Sequence, residues 1–244
     1  MKKKISNTQI FVGTSGWAYF WNEGTNLAWY ARESLLNAVE LNASFYRFPS
    51  ERQILSWVEQ GRDLSWCVKV HRIITHRHFL NESGRSDFAR FREIFRPLDC
   101  QIAYYLFQFP PKFTVKFADR IQALLEEFDN RKIALEFRNP EWYAFDFERL
   151  RFRGAIVTPD SPEFSGTFFD RNGRIYLRFH GRRSWYAYRY SDEELREIAE
   201  RIRSKHPQSV YAFFNNDHDM LSNARHFRKI TEDLFGRGER SPGN

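Results

Sequence analysis

Lys132-Ile133-Ala134-Leu135-Glu136-Phe137-Arg138 is a stretch whose two faces differ in kind. Neighbouring residues of a strand point to opposite sides, so Ile133, Leu135 and Phe137 make one apolar face while Ala134, Glu136 and Arg138 make the other. The apolar face suits packing against helices. The second face carries two opposite charges inward, and a charge is costly to bury unless it is paired or bound. Glu136 therefore calls for a partner, which Arg138, Lys69 or a ligand could supply.

The pattern recurs on both sides of this stretch. Seven further strand-like runs are Ile10-Val12, Ala38-Asn42, Trp66-His71, Ile102-Phe109, Gly154-Pro159, Arg174-His180 and Ser209-Asn215. Polar residues gather near their ends: Glu40 with Asn42, Lys69 with His71, Gln108, Asp160, Arg178 with His180, and Asn215 with Asn216. If the strands close into a barrel these groups converge on one spot, the end where (β/α)8 barrels place their chemistry.

Helix-period segments lie between the strands, near Leu27-Asn37, Glu51-Gln60, Asp87-Phe95, Val115-Asp129, Phe145-Arg151, Asp192-Lys205 and Met220-Phe235. The best defined is Asp192-Lys205, where Ser191 caps, Glu194 follows three residues later, and Leu195, Ile198, Ala199 and Ile202 form the buried stripe. An open doubly wound sheet uses the same alternation. The count of eight strands and the lack of a glycine-rich dinucleotide fingerprint select a TIM-type (β/α)8 barrel instead. At 244 residues without an internal linker, the chain reads as a single α/β barrel domain with its core over about 10–235 and a disordered tail over 236–244.

The 38 Lys and Arg against 31 Asp and Glu give a net charge of +7, which favours anionic partners: a small phosphorylated or sugar-like ligand, or nucleic acid. Aromatic residues are 18% of the chain, more than a minimal core needs. Rim aromatics such as Trp17, Trp142, Trp185 and Tyr186 could stack on a sugar or a base. The two cysteines, Cys67 and Cys100, lack metal-ligand spacing and fit a reducing cytoplasm. No apolar run is long enough for a signal peptide or a membrane span, so a soluble cytoplasmic protein is expected. Oligomeric state cannot be read from the sequence.

Within the polar face, Glu40, Lys69, Glu136 and His180 are the expected proton-transfer residues. A lysine flanked by Val68 and Val70 either pairs with a carboxylate or has a lowered pKa suited to acid-base or Schiff-base work. Asn42, Gln108, Arg138, Asp160, Arg178, Arg182, Asn215, Asn216, Trp17 and Tyr46 are expected to bind substrate. The loops after strands seven and eight often hold a phosphate in such barrels, and here Gly181, Arg178 and Arg182 would offer it backbone and forked donors. Glu136, Asp160, His180 and Asp217 would suit a divalent metal. Arg138, Lys69 and Arg178 bring competing positive charge, so no metal ligands are assigned and the cofactor stays open.

Taken in order, Gly13-Thr14-Ser15-Gly16-Trp17, Val39-Glu40-Leu41-Asn42 running to Phe45-Tyr46, Val68-Lys69 with Thr75-His76, Phe107-Gln108-Phe109-Pro110-Pro111, Glu136-Phe137-Arg138, Asp160-Ser161, Arg178-Phe179-His180-Gly181 and Phe214-Asn215-Asn216 resemble the YecE-like family, domain of unknown function 72. The resemblance runs from about Ile10 to Leu234 and implies a TIM-type barrel without an established reaction. The family barrel is similar in outline to metal-dependent sugar isomerases and apurinic-site endonucleases. The expected function is an enzyme acting on a small anionic, phosphorylated or sugar-like substrate at the barrel mouth. A nucleic-acid-binding protein or phosphodiesterase is the alternative, and a noncatalytic scaffold the third reading.

Overall fold

The computed structural model describes residues 8–164, 166 and 168–236. Eight parallel strands close into a barrel in chain order: β1 (Gln9–Thr14), β2 (Ala38–Leu41), β3 (Ser65–Lys69), β4 (Ile102–Phe109), β5 (Ile133–Phe137), β6 (Ala155–Asp160), β7 (Arg174–Phe179) and β8 (Ser209–Phe214). The closing seam pairs β1 with β8 from Gln9↔Ser209 to Thr14↔Phe214. All eight strand expectations hold to within a few residues.

Residues alternate as the sequence requires. One face of each strand turns outward beneath helices, while Cys67, Tyr104, Leu106, Val157, Tyr176 and Phe213 meet inside as a separate buried cluster. This layer plugs the lower barrel, so the polar groups at the upper strand ends have a packed floor. At Gly13 in β1 the neighbouring strand lies so close that a Cβ would sit 2.2 Å from the Ala38 carbonyl oxygen.

Among the described residues six α-helices surround the strands: α1 (Leu27–Glu33), α2 (Glu51–Gln60), α3 (Glu82–Phe95), α4 (Ala118–Glu127), α5 (Asp192–Ser204) and α6 (Met220–Gly236). Ser50 opens α2 and Ser191 opens α5 through capping boxes with Gln53 and Glu194. Of the expected tail, Gly236 ends α6, and 237–244 lie outside the described residues. Among these residues no helix is long and apolar enough to cross a membrane.

Two helix expectations change. Leu27-Asn37 stops at Glu33, because Leu35 takes a left-handed φ of 60° that no α-helix continues through. Phe145-Arg151 is no α-helix: short 3-10 turns at Pro140–Ala144 and Phe147–Arg149 stand there instead. Stacked rings do the covering a helix would have done. Trp142 is fully buried, lies 4.2 Å from the Phe137 ring and donates its indole N–H to the Phe113 carbonyl at 2.7 Å.

Candidate active site

The ends of β2, β5 and β7 bring two carboxylates and a guanidinium together above the plug. Arg178 is 1% exposed, and Glu40 and Glu136 are 0% exposed. Arg178 donates through Nη1 to Glu136 Oε2 at 2.6 Å and through Nη2 to Glu40 Oε1 at 2.7 Å, with Nε reaching both Glu40 oxygens at 3.1 and 3.0 Å. Glu40 also accepts from Ser15 Oγ at 2.8 Å, Tyr176 OH at 2.8 Å and Asn42 Nδ2 at 3.2 Å. A buried ion network persists only when its lone pairs are met in this way.

Arg138 approaches the second oxygen of Glu136, with Nη2 2.6 Å from Oε1. Its N–H is not aimed at that oxygen, which has an ion pair but no well-formed hydrogen bond. The same Nη2 lies 3.3 Å from His180 Nε2, and the guanidinium stacks 4.7 Å over the Trp185 ring. Since arginine only donates, Nε2 accepts and the hydrogen of this imidazole sits on Nδ1. Asn215 Nδ2 lies 3.3 Å from Nδ1, so this amide must turn over to bring its oxygen to that hydrogen. Burial, followed by Arg178 and Arg138, holds the His180 pKa well below the ordinary histidine value, so the ring is neutral.

Burial alone would raise the Glu136 pKa, but Arg138 and Arg178 outweigh it and keep the carboxylate ionised. Burial alone would likewise lower that of Arg178, and Glu136 and Glu40 reverse the effect. These two acids and two guanidiniums balance one another. Lys69 is the surplus charge. Its Nζ donates to Gln108 Oε1 at 3.0 Å and rests 4.1 Å over the Phe45 ring, and it forms no ion pair among the described residues. Burial first, then Arg178, lowers its pKa from 10.5 to about 7 against the pull of Glu136 and Glu40. Protein surrounds the ammonium on most sides, yet the residue remains partly exposed and reachable.

Glu40, Asn42, Lys69, Gln108, Glu136, Arg138, Arg178, His180 and Asn215 are thus gathered at one end of the barrel. Trp17 and Tyr46 line an adjoining cleft of about 490 Å³ with Ser15 and Asn42. Trp17 packs edge-on to Trp57 and Trp66, whereas Tyr46 is 67% exposed. Three expected residues lie elsewhere. Asp160 falls out of step with the inward Ala155 and Val157 and pairs with Arg182 at 3.2 Å, and Arg182 also meets Glu194 and Glu197 of α5. Asn216 is buried against Tyr188 O and Asn223 Oδ1, as a residue adjacent to an inward Asn215 must be.

The expected phosphate corner is accordingly closed. Gly181 adopts φ 104°, but its N–H goes to Tyr190 OH at 2.9 Å, and the Asn215 N–H goes to Phe179 O at 2.8 Å. With Arg182 committed to three carboxylates, Lys69 and Arg138 are left among the cations at the mouth, and Arg47 lines the adjoining cleft. The donor set also fits a divalent metal poorly: no three His, Cys, Asp or Glu side chains converge among the described residues, and guanidiniums already occupy both mouth carboxylates. Tyr176 was not among the expected site residues, although it lies two positions before Arg178 on the same face.

A DUF72 protein from Enterococcus faecalis V583 superimposes with a TM-score of 0.75 at 22% identity, covering 92% of this chain and 98% of that one. A DUF72 protein from Thermotoga maritima MSB8 gives 0.72 at 27% identity, covering 92% and 99%. D-psicose 3-epimerase from Clostridium cellulolyticum H10, solved with D-tagatose, gives 0.60 at 10% identity over 93% and 99%, a likeness of fold. No protein of curated function matches significantly. Residues 11–241 match the family described as protein of unknown function DUF72, and the chain belongs to that family.

Proposed function

We propose that the protein is an enzyme acting on a small, anionic, polyhydroxylated substrate at the barrel mouth, with Lys69 as the group that changes protonation state. The observation that carries this is the surplus cation. Four charges at the mouth cancel, and Lys69 stands beside them without a counter-ion, so one negative charge on a ligand completes the balance. Arg138 keeps N–H groups beyond its contacts to Glu136 and His180, and these can grip a carboxylate or phosphate. Gln108, Asn215 and Asn42 offer amides to hydroxyl groups, and Asn42 Oδ1 is buried with no donor of its own. A barrel shared in outline with D-psicose 3-epimerase agrees with a sugar-sized ligand but gives no reaction.

A lysine near half-protonation at neutral pH can take and return a proton within one cycle. Glu136 is held ionised and His180 neutral, so neither is the group that switches. Glu40, Glu136 and Arg178 instead position the charges that set Lys69, which revises the expected role of Glu40 and Glu136 as proton carriers and of Arg178 as a substrate binder.

The test is a thermal-shift series with sugar phosphates, sugar acids and the matching neutral sugars on wild type and Lys69→Met. Binding to the native state raises the melting temperature by mass action. Stabilisation by anionic members alone, lost in a folded Lys69→Met protein, is the expected result. No anionic ligand shifting wild type, or equal shifts in the variant, would remove the proposal. A shift with short oligonucleotides alone would favour nucleic-acid binding through the exposed rim residues Phe20, Tyr46 and Tyr186.

A further inference from the structure

We infer that Lys69 is a covalent nucleophile that forms an imine with an aldehyde or ketone group of the anionic substrate. This rests on the mouth being a substrate site, and it specifies the substrate as a carbonyl compound. The placement is the main argument. Lys69 ends β3 inside the mouth, and its backbone oxygen is fixed by Ser44 Oγ at 2.6 Å. Its amine is held between the Gln108 amide oxygen and the Phe45 ring rather than against a carboxylate. A lysine recruited only to neutralise charge would sit against Glu40 or Glu136, and Arg178 and Arg138 occupy those positions.

The surroundings supply the second requirement, a free lone pair at neutral pH. The groups acting on the amine are Arg178, Arg138, Glu136 and Glu40, and His76 also lies within reach. Burial and the two guanidiniums oppose the ammonium form more strongly than the two carboxylates favour it, which is the usual means of activating an amine nucleophile. With a pKa of about 7, roughly half of Lys69 is free amine at pH 7. An ordinary lysine near 10.4 has on the order of a thousand-fold less.

The step balances without a redox partner. The Lys69 nitrogen forms a bond to the carbonyl carbon while the C=O π pair moves to oxygen, and the proton shed by nitrogen ends on that oxygen as the hydroxyl of a carbinolamine. A proton taken up from solvent converts this hydroxyl to water, which departs with the C–O bonding pair and leaves an iminium ion, in which the nitrogen draws electrons from the neighbouring C–H bond. An anionic arm of the substrate lies near Arg138, whose remaining donors suit it.

Trapping tests this directly. Wild-type protein is incubated with pyruvate, dihydroxyacetone phosphate or glycolaldehyde phosphate and sodium cyanoborohydride, digested, and mapped by mass spectrometry. Hydride addition to the iminium carbon leaves a stable secondary amine. The chain has nine lysines, so the unmodified remainder serve as internal controls. The expected result is labelling of Lys69 at least a hundred-fold above Lys112 and Lys116 at pH 7, with a half-maximum near pH 7 and no mouth labelling in Lys69→Arg. If these compounds raise the melting temperature of wild type yet leave Lys69 unlabelled, the covalent step is wrong while the binding site stands. If they neither shift nor label, both readings fall.

Discussion

Replacing Arg178 by Met removes the one side chain that touches both buried carboxylates while keeping an apolar stem of similar length. Arg178 contacts Glu136 at 2.6 Å and Glu40 at 2.7, 3.0 and 3.1 Å with 1% of its surface exposed. In Arg178→Met, Glu40 keeps Ser15, Asn42 and Tyr176 as donors, and Glu136 keeps Arg138. Breaking a buried pair from one side costs about 3–5 kcal/mol, because the partner charge is left in place. For a chain of this size, 2–4 °C per kcal/mol puts the fall in Tm at about 6–20 °C. The pH dependence gives the sharper check. Arg178 helps hold the folded Glu136 pKa below its usual value, so that contribution to stability is present above the ordinary carboxylate range and is lost as pH falls through the folded value. Without Arg178 the folded value rises, and the deficit relative to wild type should be largest at pH 7 and shrink towards pH 4. Urea midpoints for both proteins at pH 7 and pH 4 measure it, and Glu40→Gln/Arg178→Met should recover part of the loss. A deficit under about 1 kcal/mol, or one unchanged between the two pH values, would refute the reasoning.

Three further outcomes follow from the same geometry. Lys69 binds its proton less readily folded than unfolded, so wild-type stability should rise with pH between about 7 and 10.5. The depression sets a ceiling near 5 kcal/mol at about 1.4 kcal/mol per tenfold, and solvent contact reduces it to roughly 2–3; Lys69→Met should lose this rise in urea titrations across that window. Asp160→Asn should cost about 1 kcal/mol by chemical denaturation and leave ligand shifts at the mouth as in wild type, since burial already works against the Asp160 charge and its partner Arg182 stays with α5. Gly13→Ala drives a Cβ to 2.2 Å from the Ala38 carbonyl oxygen, backbone that cannot turn aside, and should lower stability by about 2–3 kcal/mol or prevent folding, as read by Tm and soluble yield.

The barrel was legible because its two-residue alternation is strong. Ile133, Leu135 and Phe137 could face only helices or rings, and Glu136 with Arg138 only an interior. The same alternation, applied strictly, would have found Tyr176 two before Arg178, and would have turned Asp160 outward from Ala155 and Val157. It would also have separated Asn215 from Asn216, since neighbours cannot both point inward. Covering material was harder to read. Phe145-Arg151 has the apolar spacing of a helix, but nothing in local spacing announces that Trp142 will lie fully buried against Phe137 and replace it. Likewise the hydrogen bonds that occupy Gly181 N–H and Arg182 come from Tyr190 and α5, contacts set by tertiary packing.

The seam between β1 and β8 gives the molecule a timetable. Gln9 must wait for Ser209, so at about 5–20 residues per second the first strand spends on the order of 10–40 s of synthesis with an unpaired edge. Glu40 waits for Arg178 across 138 residues of chain. A nascent chain that has emerged only through β6 carries both mouth carboxylates without the cation that joins them. Premature closure of such a partial barrel would bury Glu40 without its guanidinium, a costly state, so the charges at the mouth disfavour closure until β7 has arrived.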